Sequence, residues 1–127
     1  MNHLQVFPQT PNVSFATINT ASPYQGDINT KIIFTAGPKG SFINQITVRP
    51  LGTNVATVMR FYLDDGVNMT LIHEWALSAT TATETAAIGV SSTNLPYQVI
   101  PEGHTIKVAL GTAVAAGLAV TVWGEDY

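Results

Sequence analysis

The chain has 127 residues, a formal net charge of −3 and no cysteine, and only 10% of its residues are charged, against about 25% in an ordinary soluble domain. That length fits one domain burying roughly two-thirds of its unfolded surface, and the lack of cysteine excludes disulfide frameworks, thiol nucleophiles and cysteine-ligated metals. The five cationic residues, Lys31, Lys39, Arg49, Arg60 and Lys107, are scattered singly, so no basic stripe for DNA or RNA is laid down.

Met1 to Asn12 carry two prolines and no apolar period, which reads as an extended arm ahead of a domain at 13–127. Val6 and Phe7 are poor choices for a free tail, so the arm is expected to dock on a neighbour. MNHLQVFPQTP lacks the positive start and apolar run of a secretory signal, and no apolar stretch approaches the roughly 20 residues of a spanning helix. The expectation is a soluble protein made without export and without membrane contact.

Beyond the arm the apolar pattern has period two, and Val, Ile and Thr dominate, which argues strands. Val13, Phe15 and Thr17 alternate with Ser14, Ala16 and Ile18 in a first strand. TKIIFTAGPKGSFINQITVRP reads as two strands joined through Gly37-Pro38-Lys39-Gly40, a link with hairpin chemistry, with Phe42, Asn44, Ile46 and Val48 sharing one face. In NVATVMRFYLDDG, Val55, Thr57, Met59, Phe61 and Leu63 fall on one face, and Asp64-Asp65-Gly66 closes the strand as a turn. NMTLIHEWAL returns as its antiparallel neighbour, with Met69, Leu71, His73, Trp75 and Leu77 together and Ile72 and Glu74 opposite.

Ser78 to Asn94 is a run of small residues with one charge. Its threonines and Gly89 oppose a helix, and a structureless loop of that length exceeds the roughly 12–15 residues that compact domains tolerate. It reads as a functional connection packed on another subunit, or as a long crossover holding a short edge strand. Strands follow at Tyr97 to Ile100, at Ile106, Val108 and Leu110, and at Leu118 to Trp123, before a polar tail from Gly124 to Tyr127.

Roughly eight short strands with turn signals every 8–12 residues predict an all-β domain, a two-sheet antiparallel β-sandwich of jelly-roll type. Several strands are apolar on both faces. One face builds the core, and the other is left for protein neighbours.

Chemistry is sparse. His3, His73 and His104 fall in different elements, and His73-Glu74 cannot chelate from one side, because neighbours on a strand point oppositely; His73 reads as a half-buried cross-strand residue. Pro101-Glu102-Gly103-His104 invites comparison with the metal-binding cupins, but the His-x-His and downstream glutamate are missing, so Pro101-Glu102-Gly103 reads as a turn. Asp64 and Asp65 offer too few oxygens for calcium. The serines lack a nucleophile elbow and no glycine-rich phosphate loop is present, so no enzyme activity, metal or cofactor is expected. Tyr24, Tyr62, Trp75, Tyr97 and Trp123 could build a sugar platform, or serve as core filling and sheet-edge packing.

With AGPKGSFINQITVRPLGTNVATVMRFYLDDG and LPYQVIPEGHTIKVALGTAVAAGLAVTVWGEDY, the chain resembles, over residues 13–127, the small structural proteins of tailed phages that decorate or cement a capsid. The resemblance implies a virion protein on the phage capsid surface, made in the host cytoplasm. It also implies a homo-oligomer, trimer favoured, with the major capsid protein as partner and an arm or loop as the grip. Val6, Phe7, Ala79, Thr80, Thr81, Ala82, Thr83, Ala86 and Ala87 are the candidate contacts. The alternative is a carbohydrate-binding module of a tail, neck or fibre; a cupin-like metal enzyme is a third class.

Overall fold

A computed structural model describes residues 7–22 and 29–127. They form nine strands: β1 (Thr10–Ile18), β2 (Lys31–Thr35), β3 (Ser41–Pro50), β4 (Thr57–Asp64), β5 (Met69–Leu77), β6 (Ser91–Thr93), β7 (Val99–Ile100), β8 (Thr105–Leu110) and β9 (Leu118–Asp126). One sheet runs β1-β9-β3-β6, with β7 also on β3, and the other runs β2-β8-β4-β5. Because β6 and β7 share the place beside β3, eight strand positions are filled. All pairings are antiparallel, and the alternation of early and late strands in each sheet is the jelly-roll arrangement expected from the sequence.

The core lies between the sheets. Ile46, Val48, Val120 and Val122 face Met59, Phe61, Ile106 and Val108 across it, each at most 1% exposed, and truncating a phenylalanine so buried costs about 3–5 kcal/mol. Gly124 leaves room for the Phe34 ring, whose Cε2 would lie 3.3 Å from a Cβ added there.

Several local expectations are corrected. The Gly37–Gly40 link is not a hairpin: β2 pairs with β8 and β3 with β9, so the chain turns a corner from one sheet to the other. The corner is held by Ser41, whose hydroxyl donates to Asp126 Oδ1 and accepts the Gly37 N–H at 2.8 Å. Phe42 and Asn44 do not share the core face with Ile46 and Val48, because Asn44 is the extra residue of a bulge between Ile43 and Gln45 that reverses the alternation. Ile43 is buried in their stead.

A second bulge sets Ile72 against no partner, since Phe61 pairs with His73 and Tyr62 with Leu71. It puts Leu71 opposite Tyr62 and Met69 opposite Asp64, away from the His73, Trp75 and Leu77 set, while Ile72 packs on the core. A third bulge at Ile33 lets Ile33 and Phe34 be buried in succession. At the termini, Thr10 to Asn12 belong to β1 and not to the arm, and Gly124 to Asp126 belong to β9 and not to a tail.

Candidate protein interfaces

Asn54 and Thr80 exchange backbone hydrogen bonds at 3.0 and 2.9 Å, closing the base of the connection after β5. The Thr80 hydroxyl donates to Gly52 O at 2.8 Å, and the Ala82 N–H donates to the Thr53 hydroxyl at 3.0 Å. The anchor is itself locked: the Asn54 amide, on a residue 6% exposed, donates to Gly117 O and accepts the Ala116 N–H, both at 3.0 Å. Beyond this base a turn in which Ala86 N–H donates to the Thr83 hydroxyl at 3.0 Å carries Thr81 to Ala87, every one exposed. Threonine side chains thus satisfy backbone groups locally, as short hydroxyl residues do in turns.

Of the candidate contacts, Ala79, Thr81, Ala82, Thr83, Ala86 and Ala87 stand together on this exposed loop, and Thr80 serves its base. The same connection ends in β6, the short edge strand expected as its other reading. Phe7 is 62% exposed, but it lies at the opposite pole, ahead of Gln9, whose N–H donates to Asp126 O at 2.8 Å. The loop is tied beside Gly117, at the other end of β9, and at ~3.3 Å per residue the strand separates the two by roughly 26 Å. Val6 lies outside the described residues.

The outer face of the β1-β9-β3-β6 sheet is a third surface, prefigured by the apolar Val13–Phe15–Thr17 alternation. Those residues point outward and Ser14, Ala16 and Ile18 inward, leaving Phe15 82% and Val13 48% exposed. The register sets Phe15 and Thr47 beside Thr121, Val13 and Gln45 beside Trp123, and Thr17 and Arg49 beside Ala119. Trp123 is 46% exposed and its ring N–H donates to the Thr47 hydroxyl at 3.0 Å. Val13, Phe15 and Trp123 make this face a further candidate contact surface.

Titratable groups are engaged structurally. Asp64 lies 2.7 Å from Lys107 Nζ and accepts the Gly66 N–H; the lysine first, then the amide, holds its carboxyl below the usual value. Asp65 is lowered by the Asn68 and Val67 N–H groups that its Oδ1 accepts, so both Asp64 oxygens and Asp65 Oδ1 are engaged by protein donors. His73 is half-buried, 3.1 Å from the Thr93 hydroxyl with its ring 5.4 Å from that of Phe61, the cross-strand role expected of it. His104 Nδ1 lies 2.9 Å from Glu102 O in the Pro101 turn. Among the described residues, no three His, Asp or Glu side chains gather as a metal site.

The aromatics do not gather into a platform among the described residues. Tyr62 is buried, Trp75 packs on the core, and Tyr97 and Trp123 flank different depressions, one with Leu63 and Ile72, the other with Thr47 and Arg49. Tyr24 lies outside the described residues.

Strand order and surface together define a jelly-roll β-sandwich domain, an architecture used by viral capsid, lectin and cupin domains. No protein-family model matches the chain, and no curated protein matches it. A chain in the structure of the infectious bursal disease virus Gx strain is similar at a TM-score of 0.35 and 16% identity, over 99% of this chain. This chain spans 36% of the length of that one.

Proposed function

We propose that this chain is a phage virion protein that decorates the capsid, binding the major capsid protein and holding neighbouring subunits together without catalysis. The observation that carries the reading is the pair of exposed elements, Phe7 and the Thr81–Ala87 loop, at opposite poles of the sandwich. A body with grips at both ends can bridge two neighbours. The loop's small side chains let a flat partner approach its backbone, and Glu84 is its one charge.

The resemblance of residues 13–127 to phage decoration proteins supports the same reading, and the jelly-roll architecture agrees with it by analogy of fold. Many copies on one shell would gain avidity from contacts that are individually modest. Such a protein acts mechanically, adding buried interface between subunits under internal pressure.

Co-sedimentation with DNA-free phage capsids tests the reading. Deleting residues 1–7 stops short of the Gln9 bond to Asp126, so the sandwich stays intact while one grip is lost. Paired substitution of Ala82→Glu and Ala86→Glu charges the other. Each change is expected to abolish pelleting with capsids while leaving the β-sheet circular dichroism unchanged. Undiminished pelleting of both variants would reject the proposal, and selective binding on a glycan array would favour the carbohydrate-binding alternative.

A further inference from the structure

We propose that the outer face of the β1-β9-β3-β6 sheet is a self-association surface, pairing two copies about a two-fold axis that runs across the strands between Thr121 and Trp123. This inference is independent of what the poles bind.

The register supplies the complementarity. A two-fold axis in that position lays each strand antiparallel over its own copy and exchanges the cross-strand row of Thr121 with that of Trp123. Phe15 of one copy then lies on Val13 of the other. The Trp123 indole leans from its own row to Thr47 in the Thr121 row, so it straddles the axis and meets the partner's indole there, two aromatic rings packing on each other. Trp123, Thr121, Ala119, Thr47, Arg49 and Val90 already surround a shallow depression, and the exchange brings the partner's indole to it.

Charge selects the same arrangement. Along the described rows of this face the charged residues are Arg49, in the Ala119 row, and Glu125, in the row of Pro11 and Phe42. The axis across the strands exchanges these rows, bringing each arginine within one strand spacing, about 4.8 Å, of the position above the other copy's glutamate. An axis along the strands would leave both charges without a partner. A contact that repeats itself about a two-fold closes at two copies.

Polar groups of the face are already engaged within the chain. The one indole N–H on the face is bonded to Thr47 within the same chain, Glu125 accepts the Asn44 amide at 3.0 Å, and Arg49 donates to Ile88 O at 3.4 Å. These internal bonds limit the polar groups that pairing would leave unsatisfied.

Sedimentation velocity on the full chain, from about 1 to about 200 µM, reads the association. The expected result is a monomer–dimer equilibrium. Phe15→Ser, at a residue 82% exposed and so without consequence for folding, should weaken it about tenfold to a hundredfold, the equivalent of withdrawing one large apolar side chain. Arg49→Glu or Glu125→Arg alone should also weaken the dimer, and the two together should restore it. A chain monomeric throughout the range, a trimer, a dimer indifferent to Phe15→Ser, or a charge exchange without rescue would each overturn the proposal.

Discussion

The Ser41 hydroxyl donates to Asp126 Oδ1 while accepting the Gly37 N–H, so one buried side chain ties the corner between the sheets to the end of the last strand. Asn12 Nδ2 donates to the same carboxylate oxygen at 2.8 Å. Ser41→Ala leaves the Gly37 N–H without its acceptor, and losing a buried partner costs about 1–3 kcal/mol. An unfolding free energy lowered by that amount, read from a lower urea midpoint at unchanged slope, is the expected measurement.

Asn54→Ala removes two side-chain hydrogen bonds from a buried position at the foot of the exposed loop. The expected loss is about 2–3 kcal/mol. Hydrogen exchange should accelerate first at Thr80 and Ala82, whose N–H groups close that foot, before any change in the core strands.

Tyr62 is 1% exposed and its hydroxyl has no hydrogen-bond partner among the described residues. A buried hydroxyl left unbonded is a standing cost. Tyr62→Phe is therefore expected to raise stability by about 1 kcal/mol, seen in calorimetry as a rise of about 3–5 °C in Tm. An equal fall would show that the hydroxyl is satisfied.

At Gly124 an added Cβ would stand 2.9 Å from the backbone oxygen of Phe42 and 3.3 Å from the Phe34 ring. Backbone on a central strand cannot give way cheaply. Gly124→Ala should destabilise by about 1–3 kcal/mol, whereas Gly89→Ala, with open space around its Cβ, should not.

Asp64 and Asp65 have carboxyls lowered below their ordinary 3.8. A depressed folded value means that the stabilisation is fully present above 3.8 and is lost as pH falls through the lowered values. Asp64→Asn with Asp65→Asn should reduce stability at neutral pH and flatten its decline below about pH 4, measured as urea midpoints across that range.

Strand identity was legible because alternation of β-branched and aromatic residues marks half-buried strands, and the long Thr57–Asp64 and Met69–Leu77 pair followed directly. Which residues face inward was less legible. One extra residue at Asn44 or Ile72 reverses every side chain beyond it, and a bulge leaves no mark in composition. Glycines at Gly37 and Gly40 announce a tight change of direction but not whether the chain returns beside itself or crosses to the other sheet. The exposed loop was found through its small residues, whereas its distance from Phe7 depends on strand order, which no local pattern encodes. Sequence alone offers Trp123 as sugar platform, core filling or sheet-edge packing; only the register reveals Phe15 and Val13 beside it.

The margin where β1 meets β2 is already sealed. Lys31 Nζ donates to Thr17 O, Asn12 Nδ2 donates to Thr35 O at 3.1 Å, and Pro11 has no N–H to offer. With two of its carbonyls occupied and one amide missing, that border gives an incoming strand fewer groups to hydrogen-bond, which opposes lateral growth of the sheet there. At this border the protein is guarded against edge-to-edge addition of a further strand.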